Sequence, residues 1–111
     1  MKFKINNHEW EIIEIKKEII KQKYEEATEE KTIEVFGLTN FCEQKIYLNN
    51  DMCKGIKKHT LMHELMHCYL AEYCSIEQND YTEEIMCDIS ANSHDIIHEI
   101  VEDYFKEMEV L

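Results

Sequence analysis

Proline and arginine are absent from this chain of 111 residues, and glycine occurs only twice, at positions 37 and 55. With no Pro- or Gly-rich stretch, no repeat and no low-complexity segment, nothing marks a domain boundary. Residues 1–111 therefore read as one domain, long enough to bury a small core. Without Arg, all 12 basic residues are Lys, so the usual bidentate reader of phosphate is missing. No apolar run approaches the ~18 residues of a membrane span. The opening stretch, Met1 to His8, lacks the apolar core of a secretion signal. No two cysteines form C-x-x-C. Cys42, Cys53, Cys68, Cys74 and Cys87 are odd in number and unpatterned. They read as reduced thiols of an intracellular, cytoplasmic protein and not as a disulfide framework.

What the chain has in excess is negative charge. The formal net charge is −12, and residues 76–111 carry 11 acidic side chains against Lys106 alone. Such a surface repels phosphate backbones, which disfavours direct nucleic-acid binding. It keeps a small protein in solution, or it attracts a basic partner such as a DNA-binding protein.

Local patterning predicts an α+β chain. Lys2 to Ile5 and Glu9 to Ile15 flank Asn6-Asn7, a good turn pair, and predict a β-hairpin, with helix as the alternative for its second half. Ile15, Ile19, Ile20, Tyr24 and Ala27 keep helical spacing and predict a helix over about 16–28. Thr32 to Phe36 is β-rich, and Gly37 after it marks a bend or a close backbone approach. Lys45-Ile46-Tyr47-Leu48 predicts a second strand of a hairpin ending at Asn49-Asn50-Asp51, whose side chains suit the cap of a following helix. That helix runs from Ile56 to about Tyr73. Asp80-Tyr81-Thr82-Glu83 has the form of an N-terminal cap. A long apolar stripe then continues to about Lys106, with Asn92-Ser93 as a place to bend or divide it.

The middle helix carries His63-Glu64-Leu65-Met66-His67, an H-E-x-x-H motif. Residues four apart lie one turn up the same helical face, so His63 and His67 can aim their imidazoles at one Zn²⁺. Glu64 stands one step round, at the edge of that face, where it can reach a water without being a ligand. This is the metalloprotease arrangement, with Glu64 as general base. The competing reading is an amphipathic helix with partly buried histidines. His59 precedes His63 by four, but at ~1.5 Å rise per residue it lies about 12 Å from His67 along the axis. A third ligand must come from elsewhere.

Glu83-Glu84-Ile85-Met86-Cys87-Asp88, at the head of the last helix, offers it. Glu84 completes a His₂Glu site with one position left for water. Asp88, four residues on, shares its face and can hydrogen-bond the far nitrogen of a ligand histidine, fixing its tautomer. Glu83 points about 100° away and fits capping better. Glu83, Asp88 and Cys87 are the alternative ligands; Cys68 and Cys87 otherwise read as packing residues near the metal. Ordinary first-turn acids favoured by the helix dipole would look the same. Glu64 would take a water's proton and deliver it to a leaving amine. His94, His98, Tyr81 and Tyr104 are candidates to stabilise the oxyanion. His94 and His98 are also four apart, but no further ligand set accompanies them. The strand before the motif helix can present an edge to an extended peptide.

The H-E-x-x-H at 63–67, followed by Glu84-Ile85-Met86-Cys87-Asp88-Ile89-Ser90-Ala91, resembles the ImmA/IrrE-like metallopeptidases of phages and mobile elements. Their second motif is E-x-x-A-N-x-F-A. Glu84 falls on its third-ligand position and Ala91 on its last alanine, while Cys87, Asp88 and Ser90 replace Ala, Asn and Phe. The resemblance spans roughly residues 33–95. It implies a minimal zincin-like fold, a small antiparallel sheet packed on the motif helix and a long C-terminal helix. It also implies Zn²⁺ and endopeptidase activity on a protein or peptide substrate, such as a helix-turn-helix repressor. A rival reading keeps the zinc as a brace between helices in a non-catalytic protein-interaction module.

Overall fold

A computed structural model describes residues 1–32, 34–74 and 82–110. Among the described residues, four strands and three helices follow one another as β1 (Lys2–Ile5), β2 (His8–Ile15), α1 (Lys17–Thr28), β3 (Gly37–Asn40), β4 (Lys45–Asn49), α2 (Lys54–Tyr73) and α3 (Glu83–Val110). The first hairpin forms because Asn6 and Asn7 both accept positive φ, 52° and 65°. That is the requirement of a two-residue loop whose twist matches its strands. All of β2 is strand, and α1 begins two residues after it.

The sheet has the order β1-β2-β4-β3. Its outer ladders are antiparallel, as expected. The central one is not: β2 and β4 run parallel, with Ile12 beside Ile46 and Glu14 beside Leu48. The sheet is therefore mixed, because α1 carries the chain across one face and the second hairpin sets its returning strand alongside β2. Strand alternation then sorts the side chains. Phe3, Ile5, Trp10, Ile12, Ile46 and Leu48 enter a core shared with α2 and α3. Tyr47, with Ile13, Ile15 and Leu38, enters a smaller core under Ile20 of α1. The result is three layers: α1, the sheet, then α2 with α3.

The strand expected at 32–36 is displaced to Gly37–Asn40. The turn at 41–44, with Gln44 at φ 56°, sets the register. Counting back from it pairs 37–40 with 45–48. The ladder ends with the Asn49 N–H bond to Phe36 O, beyond which the Asn49 side chain takes up loop backbone groups. The Asn49 side-chain amide donates to Val35 O at 3.0 Å and its oxygen accepts from Asp51 N at 2.8 Å. Ile33 lies outside the described residues. Asn49 is thus spent on the loop instead of capping α2, whose N-cap residue, Cys53, makes no side-chain cap hydrogen bond. At the head of α3 the cap is Thr82, whose Oγ1 accepts from Ile85 N at 3.2 Å; Asp80 lies outside the described residues. Asn92-Ser93 does not divide α3, which is helical without a break from Glu83 to Val110. Ser93 is buried in the helix, its hydroxyl donating to Ser90 O.

Polar ties lock the layers. Lys57 of α2 donates to Glu14 of β2 at 2.6 Å, and Tyr104 of α3 donates to the other oxygen of the same carboxylate. No described helix is long and apolar enough to cross a membrane.

Candidate metal centre

Helix α2 buries Leu61, Leu65, Cys68 and Tyr69 against the sheet and α3. That stripe fixes the helix's rotation, and the rotation decides the rest. His63 and His67, on another face, are left exposed, while Glu64 falls at the boundary and is buried. The Nε2 atoms of the two histidines lie 3.3 Å apart. Two nitrogens each ~2.05 Å from a tetrahedral zinc stand about 3.3 Å apart. The pair therefore has the bite of a tetrahedral zinc ion. Ligand-capable atoms of His63, Glu64 and His67 all lie within 4.8 Å of one another.

Glu64 is held by β3. The Thr39 hydroxyl donates to Glu64 Oε2 at 2.6 Å. Two residues earlier on the same strand face, Gly37 lets α2 come close. A Cβ there would stand 2.7 Å from Thr60 Cγ2 and 3.0 Å from Glu64 Cγ, closer than packed carbons tolerate. The glycine signalled this approach in the sequence; nothing signalled Thr39.

The strand that borders the site as a free edge is β3, not β4. Strand β4 is paired on both sides, with β2 and with β3. Asn49 N donates to Phe36 O at 2.9 Å. In an antiparallel ladder the bonded pairs alternate, so Gly37 and Thr39 turn their N–H and C=O groups outward. Two cavities open along this edge and share His63 and Glu64 as a wall. One, of about 320 Å³, is walled further by Val35, Phe36 and His59. The other, of about 290 Å³, is walled further by Leu38, Phe41 and His67.

The remaining candidates sit apart. Glu84 and Asp88 are exposed on the opening turns of α3, outside the His63–Glu64–His67 cluster. Glu83 is exposed beside them. His94 and His98 stack on the outer surface of α3, 5.7 Å between ring centres. His98 Nε2 is 2.9 Å from Glu102, and neither histidine joins the cluster. Tyr104 is not an oxyanion donor here, since it is buried and committed to Glu14. Tyr81 lies outside the described residues. Cys87 is exposed on α3, and Cys68 is wholly buried. Burial first, then the Glu64 and Glu72 carboxylates, push the Cys68 thiol up to about 12, so it stays a neutral packing group.

Comparison with family models, curated proteins and solved structures finds no match to this chain. What the chain itself supplies is a metal-capable His–Glu–His group on one helix, of the H-E-x-x-H kind, beside the free edge of a mixed sheet.

Proposed function

We propose that this chain is a zinc-dependent endopeptidase. The observation that carries the reading is the 3.3 Å separation of the His63 and His67 Nε2 atoms beside a buried, oriented Glu64. Zinc held there supplies Lewis acidity toward a water and a scissile carbonyl. His63 and His67 hold the ion, and Glu84 is proposed as the third protein ligand, reached from the head of α3. Asp88 is proposed to fix a ligand histidine from behind. Glu64 takes a proton from the attacking water and returns it to the leaving amine. An extended peptide lies along β3, using the outward N–H and C=O groups of Gly37 and Thr39. The net charge of −12 favours a basic protein substrate, and the resemblance to ImmA/IrrE-like peptidases suggests a phage or mobile-element repressor.

The test combines metal content with hydrolysis of such a repressor and of unfolded casein. The wild type should hold about one zinc per chain, and His63→Ala and Glu84→Ala should lose it. Glu64→Gln should keep the metal and lose at least about 100-fold in rate. Zinc retained by Glu84→Ala moves the third ligand to another residue. Zinc bound without hydrolysis by the wild type leaves the non-catalytic braced module as the better reading.

A further inference from the structure

We propose that Thr39 is a positioning residue for Glu64: it latches one carboxylate oxygen from the edge strand and leaves the other free for water. The proposal rests on the peptidase reading above and deepens it. Glu64 has three side-chain torsions, so burial alone does not aim its carboxylate. Thr39 aims it. The O···O distance of 2.6 Å is that of a short, strong hydrogen bond from a hydroxyl to a carboxyl oxygen. Glu64's own backbone oxygen lies farther from the hydroxyl, at 3.3 Å. A hydroxyl has one hydrogen to give, and the shorter contact takes it.

The second oxygen is treated differently. Glu64 Oε1 faces Gly37, where even a methyl group would come within 3.3 Å of it. One oxygen is thus fixed by a donor, and the other looks onto a strand position with no side chain. Thr39 thus engages one carboxylate oxygen, and Gly37 brings no side-chain group to the other. Branching at the Thr39 Cβ restricts its own χ1, which keeps the hydroxyl in place.

The same two residues present their backbone N–H and C=O groups to the open edge. A peptide docked along β3 therefore contacts the backbone of the residue whose side chain holds the base. Docking of the peptide and alignment of Glu64 share one strand, so a strand shift moves both together.

The experiment uses the zinc-loaded full chain and a quenched-fluorescent peptide that the wild type cuts. Thr39→Val keeps the shape and removes the donor; Thr39→Ser keeps the donor. With a latch, Thr39→Val lowers kcat about 10–100-fold with KM within about twofold and zinc content unchanged, while Thr39→Ser stays within a few-fold of wild type. An unchanged kcat, or a raised KM at constant kcat, overturns the proposal. A second readout needs no turnover. In protein labelled with carbon-13 at the Glu side-chain carboxyls, the Glu64 signal is identified by its loss in Glu64→Gln. It should move in Thr39→Val and return in Thr39→Ser; an unmoved signal overturns the latch. A moved signal with no hydrolysis by any variant supports the latch and counts against the peptidase reading instead.

Discussion

Trp10 in β2 donates its indole N–H to Glu72 Oε1 in the last turn of α2 at 3.0 Å. The other Glu72 oxygen meets His8 Nδ1, and the Glu72 backbone carbonyl accepts from the Asn6 side chain at 3.1 Å. The carboxylate is almost wholly covered, with its side chain 8% exposed. Its removal leaves a buried N–H of Trp10 without an acceptor. Glu72→Ala should cost about 1–3 kcal/mol, read by urea unfolding through the fluorescence of the single Trp. Glu72→Gln, which keeps an acceptor for the indole, should cost less. Equal losses in both variants would mean that charge, and not the indole hydrogen bond, is what matters here.

Gly37→Ala should destabilise the protein by about 1–3 kcal/mol, the usual cost of overpacking. The new Cβ meets Thr60 Cγ2 at 2.7 Å, so the buried Thr60 side chain or the packing of β3 on α2 must shift. Thr60→Ser deletes that methyl. In a double-mutant cycle the two changes should couple favourably, with the pair less destabilised than the sum of the singles. Strict additivity in urea unfolding would place the cost somewhere other than this contact.

Burial, then the hydrogen bond to Glu14, then that group's charge, raise the Tyr104 phenol above its ordinary value of 10.0. Below about pH 10 the phenol is protonated in both folded and unfolded chains, and its contribution to stability is complete. As pH rises further, the unfolded chain releases the proton while the folded chain keeps it, so stability must fall. The slope approaches about 1.4 kcal/mol per pH unit for each such proton. Tyr47 and Tyr69 are raised too, first by burial, and add in the same direction. Tyr104→Phe should flatten the loss between pH 10 and 11 without abolishing it. A slope equal to wild type in stopped-flow or equilibrium unfolding would contradict this account.

Local signals were readable in the sequence where local physics decides. Asn6-Asn7 announced its hairpin, and the stripe on α2 announced both the helix and the face carrying His63 and His67. Gly37 announced a close approach. What was hidden depends on distant partners. The parallel pairing of β2 with β4 joins Glu11 to Lys45 and Ile15 to Asn49, and no short window contains both. The strand expected at 32–36 lies at 37–40 because the turn at 41–44 sets its register, and Asn49, one of three residues suited to capping α2, bonds across the hairpin to Val35 instead. Tyr104 looked available for chemistry until Glu14, 90 residues away, was seen to claim it. Thr39 carries no pattern at all; its role exists only once β3 lies on α2.

The two histidines are separated by four residues of one helix, whereas Thr39 and Glu64 are brought together from 25 residues apart. The metal-capable spacing of the two histidines is thus a local property that survives wherever α2 survives. The hold of Thr39 on Glu64 is a property of the assembled fold. On the peptidase reading proposed above, a preparation in which β3 has peeled away from α2 would still score well in a metal assay while doing no work. Metal content would then overstate the working fraction, and ageing, heat or mutation should silence such molecules before that spacing is lost.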